Sequence, residues 1–145
     1  MADSVREAFD KGTDAFNAHD LGAFGETMAD DVVQTAPGGM NSHGRDACMA
    51  FYGIWIEAFP DAHVDVPDVL ITDDTAVEEG TFTGTHNGVF HTPMGDIPPT
   101  GRKVSWRQCH LLTVDDEGRF VDHDAIRDDL GLLRQLGVVP GAGAS

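Results

Sequence analysis

Residues 4–19 carry Val5, Ala8, Phe9 and Phe16 at i, i+3, i+4 and i+11, which is one face of a helix. Ser4 followed three residues later by Glu7 has the spacing of a capping box and sets the predicted start of that helix. A second, shorter helix is predicted over residues 20–29, with Leu21, Phe24 and Met28 on one side. A short strand over 31–36 runs into Pro37, Gly38 and Gly39, and a third helix follows over about 45–59. There Cys48, Phe51, Tyr52, Trp55 and Phe59 keep helical spacing until Pro60 ends it.

Beyond Pro60 the hydrophobic period changes from helical to alternating. Residues 64–72, 75–86, 103–114 and 120–125 are four predicted strands. The polar turns at 72–74 and 115–118 are short enough to join antiparallel neighbours. Residues 87–101, rich in Gly and Pro, read as a loop over one end of the sheet, and 128–136 as a helical turn or two closed by Gly137. The last five residues, 141–145, read as a disordered tail behind a single domain of residues 1–140. Helices first and a meander of long strands afterwards define an α+β fold. A curved antiparallel sheet packed on N-terminal helices encloses a pocket between them, which suits a small apolar or aromatic ligand.

Charge removes several classes of partner. The 145 residues hold 25 acids against 9 bases, a formal net charge of −16, and the only lysines are Lys11 and Lys103. Such a surface repels phosphate backbones and anionic lipid heads, so neither nucleic acid nor membrane is an expected partner. No apolar stretch approaches the length of a spanning helix. The first residues lack the basic segment and apolar run of a signal peptide. With two cysteines, Cys48 and Cys109, there is no disulfide framework, and the expected location is cytoplasmic.

Three ordered stretches then stand out: residues 80–88 (GTFTGTHNG), 97–102 (IPPTGR) and 128–137 (DDLGLLRQLG). They resemble, in order, the T-H-x-G, P-P-T-G-R and D-x-L-G-x-L-x-Q-L-G stretches of the SnoaL-like polyketide cyclase family. The resemblance covers nearly the whole chain. It implies the cone-shaped α+β barrel of the nuclear-transport-factor-2-like superfamily. It also implies an intramolecular aldol ring closure on an aromatic polyketide ester, with neither cofactor nor metal. An Asp at the start of the last motif is the family's acid/base, and it aligns with Asp128; a pocket histidine on the preceding strand aligns with His110. The family often has Glu-x-Trp ahead of that Asp, whereas this chain has Asp122 and Asp124 in those places. Fold-level membership fixes the architecture better than the reaction.

Strand parity reads the pocket independently. In 103–114, Val104, Trp106, Gln108, His110, Leu112 and Val114 share the more apolar face, which should meet the helices. His86 shares parity with Phe82 and Gly84 and is a second candidate pocket histidine. In an unbroken last strand Phe120, Asp122, Asp124, Ile126 and Asp128 share a face. Inward carboxylates are costly unless paired or solvated, so the alternative is a strand that ends near Asp124 with its acids in water at the rim. Asp128 has an alternative too, as the cap of the final helix. Among the aromatics Phe24, Phe51, Trp55 and Trp106 are candidate substrate contacts, in competition with a plain core role. The histidines, His91 and His123 included, lack the H-x-H or H-E-x-x-H spacing of a metal site, so no metal is expected.

The reading that follows is a cyclase-type enzyme in which Asp128, raised in pKa by burial beside Leu112, Ile126 and Phe24, moves the proton. His110 would then hydrogen-bond the developing enolate oxygen. Isomerisation of the ketosteroid type needs a tyrosine, and the one tyrosine, Tyr52, lies on the third helix. Epoxide hydrolysis on this fold needs an inward arginine, which the assigned parity does not supply. A non-catalytic ligand-binding or dimerising module is the remaining rival. Small and moderately polar residues on the outer sheet face (Thr81, Thr83, Thr85, Ser105, Arg107, Cys109) suit sheet-on-sheet packing into a homodimer or homotetramer.

Overall fold

The computed structural model describes residues 2–139, with side chains from Ser4 onward; the tail expected at 141–145 lies outside the described residues. Helix α1 (Ala2–Asn17) buries Val5, Ala8, Phe9, Ala15 and Phe16, the face that the spacing selects. It begins ahead of Ser4, so Ser4 lies inside the helix and not at the N-cap position expected of it. Helix α2 (Leu21–Glu26) is capped by Asp20, whose Oδ1 accepts from Ala23 N at 3.0 Å, and is shorter than expected. The chain leaves it at Thr27 and enters β1 (Met28–Thr35), whose first residues, Met28 and Ala29, are buried.

A 3₁₀ turn (Pro37–Gly39) and the short β2 (Ser42–His43) lead into α3 (Arg45–Ala58), which buries Cys48, Phe51, Tyr52 and Trp55. Four long strands follow as the alternation predicts: β3 (His63–Ile71), β4 (Thr75–Thr85), β7 (Lys103–Val114) and β8 (Phe120–Arg127). The intervening loop holds a small hairpin of its own, β5 (Phe90–Thr92) and β6 (Gly95–Ile97). Helix α4 (Asp129–Leu136) ends the described chain against Gly137, whose φ of 75° is the left-handed cap that glycine favours.

The main sheet has the order β2-β1-β8-β7-β4-β3. Every pair is antiparallel except β1 with β8, which run parallel, a pairing the meander pattern does not foretell. The sheet curls around the helices without closing into the barrel that the resemblance implies, and its edges are β2 and β3. Two side-chain amides finish free strand backbone. Asn17 pairs with Val64 on edge strand β3, donating to its O at 3.0 Å and accepting from its N at 2.8 Å. Gln135 does the same to Ser105 on β7, at 2.9 and 2.8 Å, where β8 has already ended.

One extra residue governs the inner face of β8. Thr113 pairs with Asp122 but Val114 pairs with Phe120, so Val121 is a β-bulge and the side-chain parity reverses beyond it. Phe120 points inward before the bulge; His123 and Ala125 are buried after it, with the Arg127 side chain also enclosed. Asp122 and Ile126 face solvent and Asp124 is only half-buried. The inward row of carboxylates considered for an unbroken strand does not exist, and the strand continues past Asp124.

Close backbone approach fixes the loop after β4. Gly88 N donates to Ala58 O at 3.1 Å, and a Cβ on Gly88 would stand 1.9 Å from Glu57 O. Gly88→Ala must therefore push the loop off the end of α3. Overpacking of this kind costs about 1–3 kcal/mol, and Tm should fall by roughly 4–10 °C. Thermal unfolding followed by circular dichroism measures this, and an unchanged Tm would show that the loop yields freely.

Candidate active site

A cleft of about 700 Å³, its open mouth included, lies between the helices and the inner face of the sheet. Its walls are largely aromatic. Phe24, Phe51, Trp55, Trp106, Gln108 and His110 all line it, as parity and helical spacing predict. Phe82 stacks on Trp106 with centroids 4.1 Å apart, and Trp55 meets Trp106 at 5.8 Å, so one end of the cleft is a tryptophan box.

The opposite end is polar, and most of it was not legible as a site. Glu78 sits directly across from His110 in the β4–β7 ladder, and its Oε1 is in close contact with His110 Nδ1. The carboxylate is 4% exposed and also accepts from Gln108 Nε2 at 3.4 Å. A buried carboxylate needs such partners, since an unpaired one would cost several kcal/mol or simply take up a proton. Glu78 shares the alternation of Phe82, Gly84 and His86, so the signal was present in the strand that pointed to His86. His123, on β8, lies with its ring centroid 4.7 Å from that of His110 and nearly perpendicular to it. The Tyr52 hydroxyl, from α3, is in hydrogen-bond contact with the His123 ring, 3.1 Å from Nε2. Only the bulge brings His123 here.

Burial, and next the neighbouring His110, hold the His123 imidazole well below its ordinary value, so it stays neutral. The Tyr52 phenol is pushed well above its usual range, first by burial and then by the charges of Cys48 and Glu78, with Arg127 pulling the other way. This end of the cleft thus presents a protonated phenol and a neutral imidazole beside the Glu78–His110 contact.

Arg127 is the inward arginine that the assigned parity missed. It lies beyond the predicted end of the strand and behind the bulge. Its guanidinium carbon is 4.4 Å from the Trp55 ring centroid, and its Nε donates to Asp129 Oδ1 at 2.7 Å. A single carboxylate accompanies it, not the Asp-Arg-Asp set of an epoxide hydrolase.

Two expected site residues lie elsewhere. Asp128 is exposed, does not line the cleft and caps α4, with its Oδ1 accepting from Gly131 N at 2.8 Å. The apolar neighbours expected around it lie elsewhere: Ile126 faces solvent, and Leu112 and Phe24 line the cleft. His86 is fully buried but outside the cleft lining. Its Nδ1 is 2.9 Å from Thr100 Oγ1 and accepts from Thr100 N at 3.2 Å, while its ring packs on Phe59. It ties the P-P-T-G-R segment to the end of β4 and makes no contact with the cleft. Among the described residues no three His, Cys, Asp or Glu side chains are grouped to hold a metal ion, and no helix is long and apolar enough to cross a membrane.

An open curled sheet wrapped on N-terminal helices is the nuclear-transport-factor-2-like fold. The chain belongs to the SnoaL-like polyketide cyclase family, whose profile matches residues 6–136. A proposed SnoaL-like polyketide cyclase from Jannaschia sp. CCS1 superposes with a TM-score of 0.85 at 22% identity, over 97% of this chain and 96% of that one. IdmH from Streptomyces antibioticus, a proposed polyketide cyclase, gives 0.75 at 30% identity over 92% and 99%. TsrD from Streptomyces laurentii gives 0.80 at 25% identity over 96% and 98%. No curated protein matches the sequence.

The two buried histidines make stability depend on pH in a definite direction. Burial lowers the His86 pKa, and burial with His110 lowers that of His123 much further. Below about pH 6.5 the unfolded chain takes up protons at both residues that the folded chain does not. Their contribution to stability is complete above that pH and is lost as pH falls through it, by at most about 1.4 kcal/mol per pH unit for each. Urea unfolding between pH 7.5 and 5.5 should show this slope, and His123→Gln should flatten it; equal slopes would contradict the assignment. Asp128→Ala should lose about 1 kcal/mol through the missing cap, while Asp128→Asn should keep most of it. Equal denaturation midpoints for both variants would count against the capping role.

Proposed function

We propose that this protein closes a ring by intramolecular aldol addition within an aromatic polyketide ester, using His110 and Glu78 for the proton transfers. The observation that carries the reading is the histidine–carboxylate pair on the wall of an aromatic cleft. Glu78 fixes the Nδ1 proton of His110 and leaves Nε2 as the basic nitrogen, which is how a carboxylate orients a catalytic imidazole. Nε2 removes a proton from the carbon between the ester and its neighbouring carbonyl, and the electron pair passes into the enolate. The enolate carbon attacks a ketone of the same molecule, forming the carbon–carbon bond. The resulting alkoxide takes the proton back from His110. Atoms and charge balance without oxidant or reductant, so acid/base groups suffice for this chemistry.

The neighbours favour that cycle. A neutral His123 adds no charge beside the transient His110 imidazolium, and the buried Glu78 carboxylate stabilises it. The Tyr52 phenol, held protonated, keeps a second anion out of the cluster. The role expected of Asp128 passes to His110, since an exposed helix cap outside the cleft cannot reach a substrate bound in it. Membership of the SnoaL-like family and the likeness to IdmH support the substrate class.

Turnover of an aromatic β-keto ester bearing a ketone side chain, followed by absorbance, tests the assignment. His110→Gln should lower kcat by about 10²–10⁴-fold, and Glu78→Gln should lower it as well. Asp128→Asn should leave it unchanged. If His110→Gln retains wild-type kcat while Asp128→Asn abolishes it, the acid/base is Asp128 and the present assignment falls.

A further inference from the structure

The tryptophan end of the cleft holds polar atoms that the ring-closing chemistry does not use. The Arg127 side chain is 6% exposed, and its Nη2 has no hydrogen-bond partner among the described residues. Trp106 is 6% exposed, and its indole Nε1 is likewise unpartnered. Both side chains line the cleft and both flank Trp55, at 4.4 Å from the guanidinium and 5.8 Å from the Trp106 ring. Gln34, fully buried, adds an unpartnered side-chain amide to the lining. Buried donors of this kind cost about 1–3 kcal/mol each when unsatisfied and are ordinarily retained for a partner. The Asp129 contact uses Nε and leaves Nη2 free for a ligand.

We infer that Arg127 and Trp106 form a carboxylate-binding subsite, and that the aromatic substrate of this cleft carries, besides its reacting ester, a free carboxylic acid that lies at the Trp55 end. A guanidinium N–H and an indole N–H are both pure donors, so the complementary group has acceptor oxygens and no hydrogens to offer. Trp55 supplies the flat apolar surface for the ring that carries it, and a charge-assisted bond to arginine is about twice as strong as a neutral one. Arg127 is two residues along β8 from Ala125, which pairs with His110. The carboxylate therefore sits about 7 Å along the strand from the proton-transfer group. That separation matters, because a carboxylate on the reacting carbon would suppress its acidity, whereas a distant one only anchors the ring system. The net charge of −16 does not defeat the site. Surface acids are screened beyond roughly 8–10 Å at physiological salt, while a bond made inside the cleft is screened far less.

This inference rests on the cleft being the substrate site and not on the proton transfers within it. Calorimetric titration with 2-naphthoate and with its methyl ester tests it on the folded wild-type protein. The acid should bind about tenfold tighter than the ester or better, and should perturb the fluorescence of Trp55 and Trp106, the two tryptophans in the chain. Arg127→Met should abolish the preference. Trp106→Phe should reduce the preference about fivefold or more, and it decides the matter alone if Arg127→Met does not fold. Equal binding of acid and ester, a preference that survives these variants, or no binding of either at millimolar concentration overturns the subsite. An acid preference without ring closure would leave the subsite standing and remove the cyclisation; ring closure without the preference would do the reverse.

Discussion

The extra residue in β8 decides what the cleft contains. Without the bulge at Val121, the strand would turn Asp122, Asp124 and Ile126 toward the helices and His123 and Arg127 toward water. Two carboxylates facing an aromatic wall would each lose several kcal/mol of hydration or take up protons. With the bulge, the acids join a surface that already carries a large negative charge, and the inner face receives an imidazole and a guanidinium. The hydrogen-bond ladder between β7 and β8 sacrifices one regular step at this point. In return, the last long strand turns His123 and Arg127 into the cleft.

Those groups succeed in a nearly apolar environment because each charge has a fixed neighbour. Glu78 is held by His110 and Gln108, and Arg127 by Asp129 and the face of Trp55. The cross-strand geometry does much of this, since residues directly opposite in a ladder are within side-chain reach. Glu78, His110 and Ala125 form one row across three strands, and the small alanine leaves the histidine room on the cleft side. The two ends of the cleft differ in kind. One holds the Glu78–His110 pair with His123 and Tyr52, the other unpartnered donors beside a tryptophan.

The motifs that carry the family resemblance act on the scaffold. His86 binds Thr100 and so joins the first motif to the second. Gly88 allows its loop to touch the end of α3, where no Cβ fits. Asp128 caps α4, Gly131 leaves space for that carboxylate, Gln135 completes the backbone of β7, and Gly137 takes the left-handed cap. These are positions where one residue type satisfies a backbone demand, which explains why they form a recognisable pattern while the cleft groups do not. The sequence pattern therefore pointed to the right family, and its most prominent acid marked a helix start.

What the sequence determined by itself is whatever depends on short-range period and local backbone chemistry. Helical spacing placed Phe51, Tyr52 and Trp55 on the buried face of α3, and strand alternation placed Trp106, Gln108 and His110 on the inner face of β7. Those residues line the cleft because a period of 3.6 or 2 fixes which side of an element is apolar. The same alternation in β4 contained Glu78 as well, but a lone acid among Phe and Gly gives no local reason to be singled out. Tertiary structure alone decided the rest. The parallel pairing of β1 with β8 joins segments separated by most of the chain, and the bulge arises from register between strands. Neither leaves a mark in local hydrophobic pattern, so His123 and Arg127 came into the site, and Asp128 left it, for reasons that exist only once the strands are paired.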